Sequence, residues 1–200
     1  MFNLNNMHMN QKLNLRFSVI VMMILLAAFS RLIPHPPNVA PIGAMSLFGA
    51  AYFSKKQWAF IIPVVSMWLA DLVLNNVVYA QYFPDFAWLY PGWYFTYGAF
   101  IIIVLAGLLL LKKVSFKNVL IASLVASVLF FLISNFGVWF SGTMYPKTAE
   151  GLWACYVAGL PVFINTLLGD LFYCGVMFGS FELVKARFPA LRLRAQYQTQ

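Results

Sequence analysis

Long apolar runs alternate with short polar breaks along the whole chain, and the breaks mark out the elements. The stretch FSVIVMMILLAAFS opens a first run over residues 17–33 and is almost unbroken hydrocarbon. A shorter run, 41–54, follows a proline-rich break, and further runs cover 57–78, 93–111, 118–140 and 152–184. A helix needs about 20 apolar residues to cross a bilayer. The pattern therefore predicts an all-α polytopic membrane protein with about six transmembrane helices. Pro161 falls near the start of the sixth run, where a missing backbone N–H predicts a break or a kink. Residues 1–16 read as a polar N-terminal segment, 17–184 as a single transmembrane domain, and 185–200 as a basic tail. The polar start and first apolar run have the outline of a signal peptide. SRLIPHPP follows instead of a small-residue cleavage site, so the run reads as an uncleaved first span.

Composition sharpens this reading. The chain is 62% hydrophobic and only 9% charged, against about 25% charged in soluble domains, so it has too little polar surface to dissolve. A net charge of +8 raises the question of nucleic acid, and the placement of the cations answers it. Lys12 and Arg16 precede span one; Lys55 and Lys56 follow span two; Lys112, Lys113 and Lys117 follow span four. Lys185, Arg187, Arg192 and Arg194 follow span six. Of the 13 cations only Arg31 and Lys147 fall on the other side. The positive-inside rule then places both termini in the cytoplasm. The basic clusters are short juxtamembrane flanks with no groove-reading surface, so no nucleic-acid partner is expected.

Three segments then face outward: 31–41, 79–92 and 141–151. The second belongs to VYAQYFPDFAWLYPGWYF, dense in aromatic rings. Those rings form either an interfacial belt or a stacking platform for a flat ligand. The first holds RLIPHPPNVAPIGA, with four prolines between a cation and a small-residue helix. It reads either as a plain turn or as a rigid cap over an outer pocket, because non-helical backbone at membrane depth survives only inside protein or lining a cavity.

Within the spans ionisable groups are few. Glu182 pairs with Lys185 on a helix surface. Asp71 and Asp170 lie in hydrocarbon, where an acid is a functional hypothesis by default. Trp68, Asp71 and Asn75 share one helix face, Thr166 and Asp170 share another, and Asn135 and Asn165 sit at similar depth. Hydrogen-bonded helix glue is the alternative, and Asp71 could simply pair with Arg31. HExxH, GxSxG and Walker motifs are absent from the sequence, and the histidines and cysteines make no metal set. No enzyme activity and no cofactor are expected. Small-xxx-small spacings occur at Ala40/Ala44, Ala122/Ala126 and Gly175/Gly179.

Two stretches carry a resemblance. Pro37-Asn38-Val39-Ala40-Pro41-Ile42-Gly43-Ala44, the Gly49–Ala51 cluster and Ala70-Asp71-Leu72 resemble the signature of a DUF6580-like family of small bacterial membrane proteins. That family in turn resembles the substrate-binding S components of energy-coupling factor (ECF) vitamin transporters. The likeness covers roughly residues 30–75, the span number and the orientation. The alanine-rich docking motif expected on span one is not matched, since Ala27 and Ala28 are followed by Phe29-Ser30-Arg31. What the resemblance implies is a subunit that captures a vitamin-like or heterocyclic small molecule from the outer face and works with a transmembrane coupling subunit and ATPases. The expected substrate-binding residues are His35, Asn38, Asp71, Asn75, Trp88, Trp93, Asn135 and Asn165. A stand-alone proton-coupled transporter using Asp71 or Asp170, a membrane scaffold and an intramembrane enzyme are the rival classes.

Overall fold

A computed structural model describes residues 4–192 and the side chains of 13–192; Lys12 as a side chain and Arg194 lie outside the described residues. The described chain is all helical, without strands. Its helices are α1 (Leu4–Phe29), α2 (Ile42–Tyr52), α3 (Gln57–Val73), α4 (Trp93–Leu110), α5 (Phe116–Ser141) and α6 (Ala149–Arg187). All but α2 carry a segment long and apolar enough to cross a membrane. The six predicted segments therefore correspond one to one with six helices, and the protein is a multi-pass membrane protein.

The short helix is the centre of the bundle. α2 has 11 residues and spans roughly 16 Å, about half a bilayer core. Every residue from Ile42 to Ala50 is buried, as is Tyr52, because α1, α3, α4, α5 and α6 all pack on it. Small residues permit this. The bare Gly49 leaves room for the ring of Pro63 on α3, and on α4 a Cβ at Gly107 would lie 2.9 Å from the Ala50 methyl. Below them Phe48 and Tyr52 meet Phe178 and Phe181 of α6. The remaining helices present apolar side chains outward, including Leu26, Leu109, Leu132 and Ile164, as a lipid-facing surface requires.

Two ends follow from this packing. The upper end carries the loops around Pro36, Trp88 and Lys147; the lower end carries Arg16, the Lys55–Lys56 turn, Lys113 and Lys185. α2 begins part-way down because the segment Ile33–Pro41 enters the bundle from above as non-helical chain. Its turn is set by sequence. Val39 N donates to Pro36 O at 3.1 Å, and Asn38 has φ of 63°. Pro at the second turn position and Asn with positive φ at the third are the residues a type II turn requires.

Of the break or kink expected at Pro161, the break does not occur. α6 runs unbroken for 39 residues through it, roughly 58 Å. Proline in a membrane helix removes one backbone bond, which surrounding structure can absorb.

Candidate functional site

The upper half of the bundle holds two polar clusters, and they share no residue. The first is built on α1, α3 and α4. Asp71, buried, accepts from Arg31 Nη1 at 2.6 Å and from the Tyr97 hydroxyl at 2.7 Å. Arg31 Nη1 also meets the Met67 sulfur. These atoms sit together because Met67 and Asp71 are one helical turn apart, while Arg31 closes a 3₁₀ turn (Ser30–Leu32) at the top of α1. Asn75 lies one turn above Asp71. It is buried, and its Nδ2 has no partner among the described residues. The helix changes character there: Leu74–Val78 is a π-helix, closed by Tyr79 N donating to Leu74 O at 2.7 Å. Such turns re-aim side chains and are frequent at functional sites.

An aromatic loop covers this cluster. Asn76 pins it from both sides, donating to Ala87 O at 2.9 Å and accepting from Ala87 N at 2.7 Å. Trp68 Nε1 donates to Trp88 O at 3.2 Å. Trp93 meets Tyr97 edge-on at 5.8 Å. Tyr90 is pulled inside as well, and burial pushes its phenol up to about 12, so it remains a neutral hydroxyl.

The second cluster is centred on Asp170 of α6, only 1% exposed. Its carboxylate accepts from Gly43 N at 3.0 Å and from Ser127 Oγ at 2.7 Å. Gly43 is the second residue of α2, so Asp170 caps α2 from another helix, at the positive end of its dipole. A Cβ at Gly43 would fall 2.5 Å from Asp170 Oδ1, which is why glycine stands there. Beside this cap lies a cavity of about 20 Å³ lined by Asn38, Ala40, Ile42, Phe130, Thr166 and Asp170. That is room for about one water.

The structure thus divides the eight expected ligand-facing residues. Asp71, Asn75 and Trp93 belong to the first cluster, and Asn38 lines the small cavity. The other four are placed outside both clusters. His35 is exposed, its ring nitrogen on the carbonyl of neighbouring Pro36, because the prolines turn it away from the bundle. The Trp88 ring is 63% exposed and packs on Phe86; only its carbonyl faces inward. Asn135 bonds Phe131 O one turn back, takes the Cys155 thiol on its own carbonyl, and fits against Gly159. It joins α5 to α6. Asn165 holds the proline loop through Pro37 O at 3.0 Å.

Tyr97, Asn76 and the capping role of Asp170 escape sequence reasoning. The i, i+4 spacing of Trp93 and Tyr97 was the available signal. On α5, Ser127 and Ser134 bond backbone carbonyls, Ser127 also serves Asp170, and Ser123 Oγ has no partner among the described residues. Glu182 pairs with Lys185 at 2.5 Å as the spacing predicts. Both cysteines are free and buried. Asp71 and Asp170 serve different clusters. Among the described residues no group of three metal-ligating side chains occurs.

The profile of one family, DUF6580, a family of unknown function, matches residues 11–191. The chain belongs to this family. That match takes in all of the DUF6580 chain's helical bundle from the first span to the turn after α6. No curated protein and no solved structure matches it. Membership in DUF6580 brings no assigned activity, and the functional argument rests on the clusters themselves.

Proposed function

We infer that the protein is an integral membrane subunit that binds a small, polar-edged aromatic or heterocyclic solute at its upper end, in the manner of an ECF S component. One observation carries this reading. Arg31, Asp71 and Asn75 form a charged, incompletely satisfied cluster at membrane depth, under an aromatic loop. Buried polar groups are ordinarily paired, and ionisable groups in spans mark solute paths. The unpartnered Asn75 amide would donate to the solute's polar edge, Arg31 would offer its remaining donors, and Trp93 and Tyr90 would supply ring faces. In this reading the upper end faces outward, both termini are cytoplasmic, and a coupling subunit with ATPases is the expected partner.

The test is a thermal-shift screen of the detergent-purified protein against vitamins and nucleobase-like solutes. A ligand at a hundredfold excess over its Kd stabilises by ~2.7 kcal/mol. The expected result is a hit that disappears in Asn75→Ala and persists in Asn38→Gly. Well-folded protein with no shift across the panel would favour a membrane scaffold.

A proton-coupled carrier is the second reading. Asp170 favours it, as a buried acid with hydroxyl and backbone partners and, among the described residues, no cation bonded to it. Uptake driven by a proton gradient and lost in Asp170→Asn would select this reading; dependence on a partner ATPase would select the first.

A further inference from the structure

The lower end holds a pocket unrelated to the upper clusters, apolar for the most part with a cationic side. Its volume is about 360 Å³, and it lies between the start of α1 and the α2–α3 turn, lined by Asn14, Arg16, Phe17, Ile20, Lys55 and Trp58 among others.

Arg16 is its anomaly. The residue is 7% exposed. Nη1 donates to Leu191 O at 2.7 Å and Nη2 to Tyr52 O at 3.1 Å. The guanidinium carbon stands 5.8 Å from the Tyr52 ring centre and 5.5 Å from that of Phe181, while Nε is buried without a partner among the described residues. None of those partners is an anion. Glu182, the acid at this end, accepts from the Tyr52 hydroxyl at 2.6 Å and from Lys185 at 2.5 Å. Among the described residues no carboxylate lines the pocket. A buried cation bonded only to carbonyls and ring faces, with Glu182 near enough to attract it but bonded to other partners, is only partly compensated. Lys55 stands exposed at the rim and adds a second positive charge. Lys56 does not compete, because its Nζ reaches back to Ala50 O at 3.2 Å.

The rest of the pocket is apolar. Phe17 and Trp58 meet edge-on at 5.5 Å, and Ile20 continues the wall one turn deeper along α1. A tryptophan beside cations at the end of a span is an interfacial arrangement. The pocket therefore offers a positive mouth and a greasy wall, side by side at the membrane boundary.

We propose that this pocket binds the phosphate of an anionic phospholipid, with the headgroup between Arg16 and Lys55 and an acyl chain along Phe17, Ile20 and Trp58. Inorganic phosphate has the same chemistry for the cations, but it would leave the apolar wall unused.

Native mass spectrometry of the full chain in detergent tests this, with phosphatidylglycerol, phosphatidylcholine and inorganic phosphate as separate probes. The expected result is preferential retention of phosphatidylglycerol. Lys55→Gln should weaken it about fivefold, the effect of one juxtamembrane cation. Lys113→Gln, an exposed cation at the same end and outside the pocket, should leave it unchanged. Trp58→Ala should weaken lipid retention and spare any phosphate adduct. Equal retention of the two lipids, or equal losses in Lys55→Gln and Lys113→Gln, would overturn the site. Phosphate binding as tight as the lipid and insensitive to Trp58→Ala would overturn the lipid as its occupant.

Discussion

Asp71 holds two partners, and only one of them is charged. Asp71→Asn preserves size and the bond to Tyr97, and it strands the Arg31 guanidinium. Breaking a buried pair from one side costs about 3–5 kcal/mol, whereas replacing both members by apolar residues is often near neutral. Asp71→Asn should therefore lower the apparent melting temperature in detergent sharply, and Arg31→Met with Asp71→Leu should recover most of the loss. If both variants fall equally, the pair is not what holds α1 to α3. Asn38 needs the opposite treatment. Its φ of 63° suits glycine and penalises alanine by about 1–2 kcal/mol. Asn38→Gly should keep wild-type stability and Asn38→Ala should lose it; equal stabilities would mean the turn does not constrain this residue. The sequence exposes Asp71 and Asn75, because an acid and an amide one turn apart stand out in an apolar helix. It hides Tyr97 among many rings. It also hides Asn76, whose inward role depends on a π turn that no 3.6-residue periodicity predicts. Asn135 and Asn165 stand outside both clusters for a different reason. An amide in a helix bonds a backbone carbonyl as readily as a ligand, and residue type alone does not distinguish the two.

At the scale of the element, α2 is a helix whose start is fixed by a side chain from α6. The N–H groups of its first turn have no intrahelical partner, and the Asp170 carboxylate takes one of them. Gly43→Ala would drive a methyl into that carboxylate. The expected loss is about 1–3 kcal/mol, the usual range for overpacking. Gly98 on α4 has nothing within 4 Å of where a Cβ would sit. Gly98→Ala should therefore be neutral or gain up to about 1 kcal/mol from helix propensity. Thermal unfolding of the two variants side by side checks the contrast, and equal losses would mean the Asp170 cap contributes nothing. All six helices were legible because cations and prolines bound each apolar run. The central position of α2 was not. An apolar helix of 11 residues reads the same whether lipid or protein surrounds it, and only the density of Gly and Ala hints at protein on every side. The continuity of α6 through Pro161 was equally hidden, since a proline reads as a stop unless tertiary support is known.

Across the whole molecule, the described cations gather at one end. Arg16, Lys55, Lys56, Lys112, Lys113, Lys117, Lys185, Arg187 and Arg192 lie at the lower end, against Arg31 and Lys147 at the upper. Arg31 is neutralised by Asp71, which leaves Lys147, its Nζ bonded to the carbonyls of Trp139 and Gly142, as the upper end's uncompensated cation. The bias counts Lys and Arg in short loops near span ends, which is where these residues are. Single cysteines placed at Lys113 and at Thr143 should therefore differ in intact cells. The Thr143→Cys thiol should react with a membrane-impermeant maleimide, and the Lys113→Cys thiol should react only after the membrane is permeabilised. The native Cys155 and Cys174 are buried and provide a low background. The reverse pattern would turn the Arg31–Asp71–Asn75 cluster toward the cytoplasm and remove capture from outside as its role. The lower pocket would survive that inversion, because its phosphate chemistry depends on Arg16 and Lys55 standing at a membrane boundary and not on which leaflet supplies the lipid.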